Sequence, residues 1–363
     1  MFPSWASETE GGPSVRYIGV DLHKRNFVVC FLGEDDTIKL QTYPLTDTGL
    51  STFGRGLRPD DQMAVETAQN AYYFYDRVHS AVNKVVLVDP YRFAVIAKSK
   101  KKTDRHDAVT LARFLKLGWL PTVPIPTEKI RHLRQLCQAR ENLVQMATQL
   151  KNMGHAALGR NGIALNHAAL NGLGSRRRLA HLAGLAPLDQ QILGVALRQL
   201  DALDREIDVL ETEILRVGKD LPGLPRLLQI RGLSALTAIV LLAEIGDIAW
   251  FENSKQLAAY AGLAISVRQS GATDRHGKIT KQGRKRLRTI AIRTVLAMVN
   301  GKRTPLMQFY ARKKQEKDAG KALCATARKL LTIIFVMLKR DLDYWYLEDR
   351  LYQRKLQMLR TSA

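Results

Sequence analysis

Tyr17-Ile18-Gly19-Val20-Asp21 is an apolar run of strand composition that ends on a carboxylate. With Val15 and Arg16 before it, the run predicts a first strand. Phe27 to Leu32 is a second β-rich run after the turn-like His23-Lys24-Arg25-Asn26, and Ile38 to Tyr43 predicts a third. Beyond them the pattern gives a short helix over Gly49 to Leu57, a strand at Met63 to Glu66 and a helix across Ala71 to Val82. A buried strand at Val85 to Val88 and a helix from Asp104 to Leu117 complete the series. Three antiparallel strands followed by alternating helices and strands is the order of an RNase H-like α/β fold. In that order the first and fourth strands are neighbours, so the acids that close them would lie side by side.

Those acids are Asp21 and Glu66, and Asp104 and Asp107 join them from the start of the last helix. The chain carries 56 Lys+Arg against 34 Asp+Glu. In so basic a background, converging carboxylates are costly unless a cation neutralises them. Asp104 and Asp107, at i and i+3, face one side of a helix that Thr103 can cap. Two acids in a first turn also suit the helix dipole, which accounts for that pair but not for acids at the carboxyl ends of strands, where open sheets place their sites. Two Mg²⁺ (or Mn²⁺) ions held by the cluster would activate an attacking oxygen and stabilise a leaving one, the division of labour in phosphoryl transfer.

A length of 363 residues predicts two or three domains, and 46% hydrophobic residues support globular ones. A formal net charge of +22 calls for a polyanionic partner, nucleic acid first and an anionic membrane a distant second. Cys30, Cys137 and Cys324 are far apart, with no metal-ligand spacing, which points to neither zinc nor disulfides and to a reducing, cytoplasmic setting. Residues 1–14 read as a disordered tail rather than a signal peptide. No run approaches the ~18 to 20 apolar residues of a membrane span.

Pro121, Pro124 and Pro126 close the first domain, expected over 15–125. A coiled-coil and linker region is expected over 126–221. Leu136, Leu143 and Leu150 recur every seven residues with Ala139, Met146 and Met153 between them; Leu193, Leu200, Ile207 and Ile214 alternate likewise with Ala196, Leu203, Leu210 and Val217. Between these segments, 154–184 reads as a connection of low order, or as a nucleic-acid contact through Arg176-Arg177-Arg178. Pro222, Gly223 and Pro225 open a mainly helical domain over 222–350, with a tail from 351 to 363. In it, Gln229-Ile230-Arg231-Gly232-Leu233-Ser234 suggests a helix-hairpin-helix whose amides can hold a phosphate. From Arg275 to Gln315 no acid occurs, while Arg275, Lys278, Lys281, Arg284, Lys285, Arg286, Arg288 and Arg293 crowd the first half. With Arg268, Arg105 and Lys100-Lys101-Lys102, these predict the nucleic-acid surface. A serine among such arginines, Ser266 or Ser270, could attack a phosphodiester.

Tyr-Ile-Gly-Val-Asp, Val-Glu-Thr, Lys-Thr-Asp-Arg-His-Asp-Ala, Gln-Ile-Arg-Gly-Leu-Ser and the Ala-Tyr-Ala-Gly-Leu to Gly-Lys-Ile-Thr-Lys-Gln-Gly-Arg block occur in one order from Tyr17 to about Trp345. Together they resemble the DEDD transposases of insertion sequences related to the Piv and MooV DNA invertases. The resemblance implies a RuvC-like amino-terminal domain, with its acids at Asp21, Glu66, Asp104 and Asp107, and a carboxy-terminal domain that supplies a serine nucleophile. Ser270, before Gly271, occupies the family's Ser-Gly position; Ser266 is the second choice, and Ile265 stands where the family has proline. It further implies donor and target DNA as substrates, a non-coding bridge RNA that chooses sites, and a dimer or tetramer. A phosphoserine link would conserve bond energy, so no nucleotide cofactor is expected. The setting would be a bacterial or archaeal cytoplasm, acting at the nucleoid. Two rivals stay open: a metal nuclease of the Holliday-junction-resolvase type that uses water, and a non-catalytic nucleic-acid scaffold.

Overall fold

Strand-forming residues of the amino-terminal part pair as their apolar pattern requires in the computed structural model, which describes residues 15–96, 103–270, 273–299, 301 and 304–361. β1 (Tyr17–Leu22), β2 (Asn26–Leu32) and β3 (Ile38–Pro44) form an antiparallel meander. They are followed by α1 (Asp47–Gly54), β4 (Gln62–Glu66), α2 (Ala71–Val78), β5 (Lys84–Val88), α3 (Pro90–Ile96), α4 (Asp104–Lys116) and β6 (Thr122–Val123). The sheet has six strands in the order β3-β2-β1-β4-β5-β6, with β4 parallel to β1 and β5 parallel to β4. Chain order 1 and 4 are therefore adjacent, as expected.

Both faces of this sheet are covered, which is why β1 and β2 read as nearly continuous apolar runs. On one face Phe27, Phe53 and Phe74 meet with ring centroids 5.1 to 5.9 Å apart, between the sheet, α1 and α2. On the other, Val28, Cys30 and Leu32 pack on Ala108 and Ala112 of α4. Gly19 makes the second contact possible. A Cβ there would lie 2.0 Å from the Ala108 carbonyl oxygen, so the helix backbone rests directly on β1.

Three local expectations change. The helix expected to reach Val82 stops at Val78 and continues only as a 3₁₀ turn over His79–Ala81. α3 was not foreseen, because Pro90 reads as a breaker although proline suits a first helical position. The proline-rich stretch from Pro121 contains β6, which pairs antiparallel with β5. The tail at 1–14, Lys100-Lys101-Lys102 and Gly271 lie outside the described residues.

The chain divides between Ile125 and Pro126 into two compact units. The second begins with α5 (Glu128–Arg160), continues through α6 (Leu173–Ala180) and returns along α7 (Pro187–Gly218). The pairs Arg140–Glu211 and Arg160–Asp189 fix α5 and α7 as antiparallel. Leu193, Ala196, Leu200, Leu203 and Ile214 of the α7 seam are buried, whereas Met146 of the α5 seam is half exposed.

The intervening 154–184 is not the low-order connection expected. It holds the end of α5, a 3₁₀ turn at His167–Leu170 and α6, with Leu158, Leu170 and Leu179 buried against α7. Arg176, read there as a nucleic-acid contact, is itself buried and bound to Asp201 and Asp204.

α8 (Leu224–Gln229) and α9 (Ala235–Ile245) are joined by a tight turn in which Gly232 has φ +84°. Ser234 caps α9 by accepting from the Thr237 amide, a contact worth about 1 kcal/mol. There follow α10 (Ser254–Tyr260), the hairpin β7 (Ile265–Ser270) and β8 (Thr273–Ile279), α11 (Lys285–Val299), α12 (Pro305–Glu316), α13 (Ala319–Lys339) and α14 (Asp349–Thr361). The last is a correction. Most of the segment expected as a tail is helical, and its Tyr352, Leu356 and Leu359 pack on the core of the second unit. Among the described residues no helix is long and apolar enough to cross a membrane.

Candidate active site

The carboxyl edge of β1 holds Asp21 and, from α4, Asp104, and Glu66 ends the neighbouring β4. Val20 pairs in register with Val65, so the next residues, Asp21 and Glu66, end up on neighbouring strands. α4 lies across the opposite face of β1, and Thr103 accepts from the His106 amide to start it. Its first turn therefore delivers Asp104 and Asp107 toward the same edge.

His23 completes the group, two residues past Asp21. Its Nε2 lies 3.2 Å from Asp21 Oδ2 and 3.1 Å from Asp104 Oδ2. This ring nitrogen is buried between the two carboxylates. One donor atom from each of Asp21, His23 and Asp104 falls within 4.8 Å of the others. Two ligands of one Mg²⁺-sized ion sit at most about 4.2 Å apart, so small side-chain rotations would close this set on an ion. Two carboxylates with an imidazole nitrogen suit a transition-series divalent ion such as Mn²⁺ as a three-donor set, whereas Mg²⁺ would take the carboxylate oxygens alone.

Asp21 titrates accordingly. Burial pushes its carboxyl above the ordinary value; Asp104 and Asp107 push the same way, and His23 opposes them. A carboxylate that burial and two neighbouring acids all make harder to ionise is one that a cation would relieve. Asp107 thus acts on Asp21 through its charge, while Glu66 stands beside Asp21 through strand register. His23 was missed from sequence because a lone histidine in a turn carries no signal. Only its spacing from Asp21 hinted at it.

The basic residues divide by partner. Arg105 is exposed in the first turn of α4, and Lys281 and Lys285 are exposed in the second unit. Arg231 pairs with Glu348 at 2.8 Å. Arg284 donates to the Tyr260 hydroxyl, and Arg288 to the carbonyls of Ala261 and Lys281. Arg286 departs furthest from a phosphate ligand: it is half-buried, 2.6 Å from the buried Glu244 and 2.7 Å from Glu141. Contacts with both acids hold its guanidinium above the ordinary value against the opposing cost of burial. Arg268 and Arg275 face each other in the backbone register of the β7–β8 hairpin, and Lys278 follows in β8.

Ser270 ends β7 and pairs in register with Thr273, the first residue of β8. Ser266, the second residue of β7, falls at the register shift between Ile265 and Val267, where a Cβ on Gly277 would come 2.3 Å from its Oγ. The acids belong to the first unit and both serines to the second.

A carboxylate cluster at a sheet edge, in a chain of net charge +22, suits an enzyme that acts on a polyanion. Residues 18–161 match the DEDD transposase family of IS110 type, and residues 224–311 match the family described as Transposase IS116/IS110/IS902. Both matches are to transposases of IS110 type, over two separate stretches of this chain. The chain is 26% identical over 345 residues to a "Probable family 20 transposase" of Pseudomonas aeruginosa, covering 90% of this chain and 98% of that one. It is 25% identical to the transposase for insertion sequence element IS1111A of Coxiella burnetii, over 91% of each. A pilin gene-inverting protein of Moraxella bovis is 24% identical over 90% of this chain and 97% of its own.

Proposed function

We propose that this protein is a transposase that cuts and rejoins donor and target strands of an insertion sequence with Ser270 as covalent nucleophile and the four acids as a metal-binding partner site. The observation that carries this reading is the convergence of Asp21, Asp104 and His23, with Asp107 acting on the same carboxyl. The sheet order, with β1 beside β4, supports an RNase H-like unit behind them.

When bound, Mg²⁺ or Mn²⁺ supplies positive charge and Lewis acidity toward phosphate oxygens. The chain's own residues do the rest. Asp21, Asp104 and Asp107 hold the charge at the carboxyl edge of β1, and Glu66 extends it across to β4. Ser270 Oγ attacks phosphorus, the bond to the leaving strand's oxygen breaks, the serine proton departs to a nearby base, and the leaving oxygen is protonated. The hydroxyl of the incoming strand then reverses these steps, displacing serine, so no nucleotide cofactor is consumed. Exposed Lys281, Lys285 and Arg105 suit the phosphates of that DNA.

Because acids and serine belong to different units, a dimer or tetramer would let the acids of one subunit serve the serine of another. A structured bridge RNA that pairs with donor and target would supply sequence choice. The cytoplasm, at the nucleoid, is the setting.

Trapped protein–DNA adducts test the serine. Ser270→Ala should abolish both the adduct and strand exchange, while Ser266→Ala keeps them. An active Ser270→Ala enzyme would leave the water-using nuclease, which the grouped acids also favour, as the better account.

A further inference from the structure

The second unit contains a cleft of about 310 Å³ between α5, α9 and α11, away from the β7–β8 hairpin that carries the serines. We infer that this cleft seats a single nucleotide of a DNA strand, its base turned out of the stack and its phosphate at the rim. This rests on the transposase reading, since it presumes that DNA is the ligand of the chain.

Size sets the first limit. The volume lies at the small end of ligand pockets, so it admits one nucleotide and excludes a duplex. Lining chemistry sets the second. Leu236 and Val240 of α9 with Ile290 and Ala297 of α11 give an apolar wall suited to a base face.

Charge sets the third. Arg140 is held by Glu211, and Arg286 by Glu141 and Glu244, but Arg293 is exposed with no ionic partner among the described residues. One arginine is therefore free for a phosphate, and the positive lining disfavours a metal ion. The start of α9 adds to this, because Ser234 caps the Thr237 amide while those of Ala235 and Leu236 in the same first turn point the positive end of the helix dipole outward.

The observation that points to a polar ligand is Thr294. This residue lines the cleft and is only 2% exposed, yet its Oγ1 has no hydrogen-bond partner. A helical threonine normally bonds back to the carbonyl one turn earlier, as Thr326 does to Ala322 at 2.8 Å. A buried hydroxyl left without a partner costs stability unless something completes it. A base edge offers both donors and acceptors.

Photo-crosslinking tests the assignment. Full-length protein is irradiated with single-stranded DNA carrying 4-thiothymine, with an RNA oligonucleotide of the same sequence and 4-thiouracil in a parallel arm, and the adducts are mapped by mass spectrometry. Adducts are expected on peptides from 235–245 and 285–299, with DNA giving the greater yield. Leu236→Trp, which fills the cleft, should remove them. Losing one seated base should weaken oligonucleotide binding roughly five- to a hundredfold. Thr294→Val should weaken binding while the melting temperature holds or rises, a pairing that a merely structural threonine would not give. Asp21→Asn should leave the cleft adducts intact. Adducts confined to other peptides, or unchanged in Leu236→Trp, overturn the cleft assignment; equal or greater yield with RNA overturns DNA as its source. A gel shift run alongside separates the two failures, because a protein that shifts no DNA at all contradicts the transposase reading itself.

Discussion

Gly19→Ala should damage the active site more than it damages the fold. The added methyl would lie 2.0 Å from the Ala108 carbonyl oxygen and 2.6 Å from the Ala112 amide nitrogen, both backbone atoms that cannot rotate aside. α4 must then retreat from β1 by about 1 Å to restore ordinary contact. Overpacking of this kind costs about 1–3 kcal/mol, and a unit of this size loses roughly 4–8 °C of melting temperature per kcal/mol. Asp104 and Asp107 move with the helix, away from Asp21. A displacement of about 1 Å in a reacting geometry costs on the order of a hundredfold in rate. Circular dichroism melts and metal-dependent cleavage of donor-end DNA measure the two effects on one preparation. Gly54→Ala is the control, since its Cβ meets nothing within 4 Å; it should be neutral or stabilise by up to about 1 kcal/mol. Unchanged melting and unchanged cleavage in Gly19→Ala would refute the close docking of α4 on β1.

Glu244→Ala removes the buried partner of Arg286 and should destabilise the second unit by roughly 3–5 kcal/mol in urea melts; adding Arg286→Met should recover most of the loss, an outcome foreign to a phosphate ligand. Lys355 donates to the carbonyls of Leu228 and Ile230, and burial lowers it to about 8. Its folded value lies below its unfolded one, so between those values the unfolded chain holds the extra proton and stability rises with pH. The urea midpoint of the wild type should therefore gain on that of Lys355→Gln from about pH 8 toward 10, and parallel curves would contradict the burial of that amine.

The strands were legible because β1, β2, β4 and β5 are short apolar runs bounded by turn residues, and the acids because strand order alone makes β1 and β4 neighbours. Thr103 before Asp104 announced the start of α4. What stayed hidden depends on partners distant in sequence. Arg286 looked free because Glu141 is 145 residues away and Glu244 is 42. Arg176 looked like part of a basic run because Asp201 and Asp204 lie on another helix. α14 was missed for want of a long apolar stripe, although Leu356 and Leu359 find the core. His23 had no motif to mark it, and only the fold of the β1–β2 turn brings it between two carboxylates.

The most direct measurement is the thermal melt of wild type and Asp21→Asn, with and without Mg²⁺ or Mn²⁺, paired with DNA cleavage under the same conditions. Burial, Asp104 and Asp107 raise the Asp21 carboxyl over the opposition of His23, so its ionisation costs stability once the pH exceeds the ordinary carboxylate range. At neutral pH without metal, Asp21→Asn should melt at or above the wild type. Divalent ions should then raise the wild-type melting temperature and support cleavage, and do neither for the variant. An Asp21→Asn protein that gains the same metal-induced stability and still cuts DNA would contradict a metal-binding role for the carboxylates at the edge of β1.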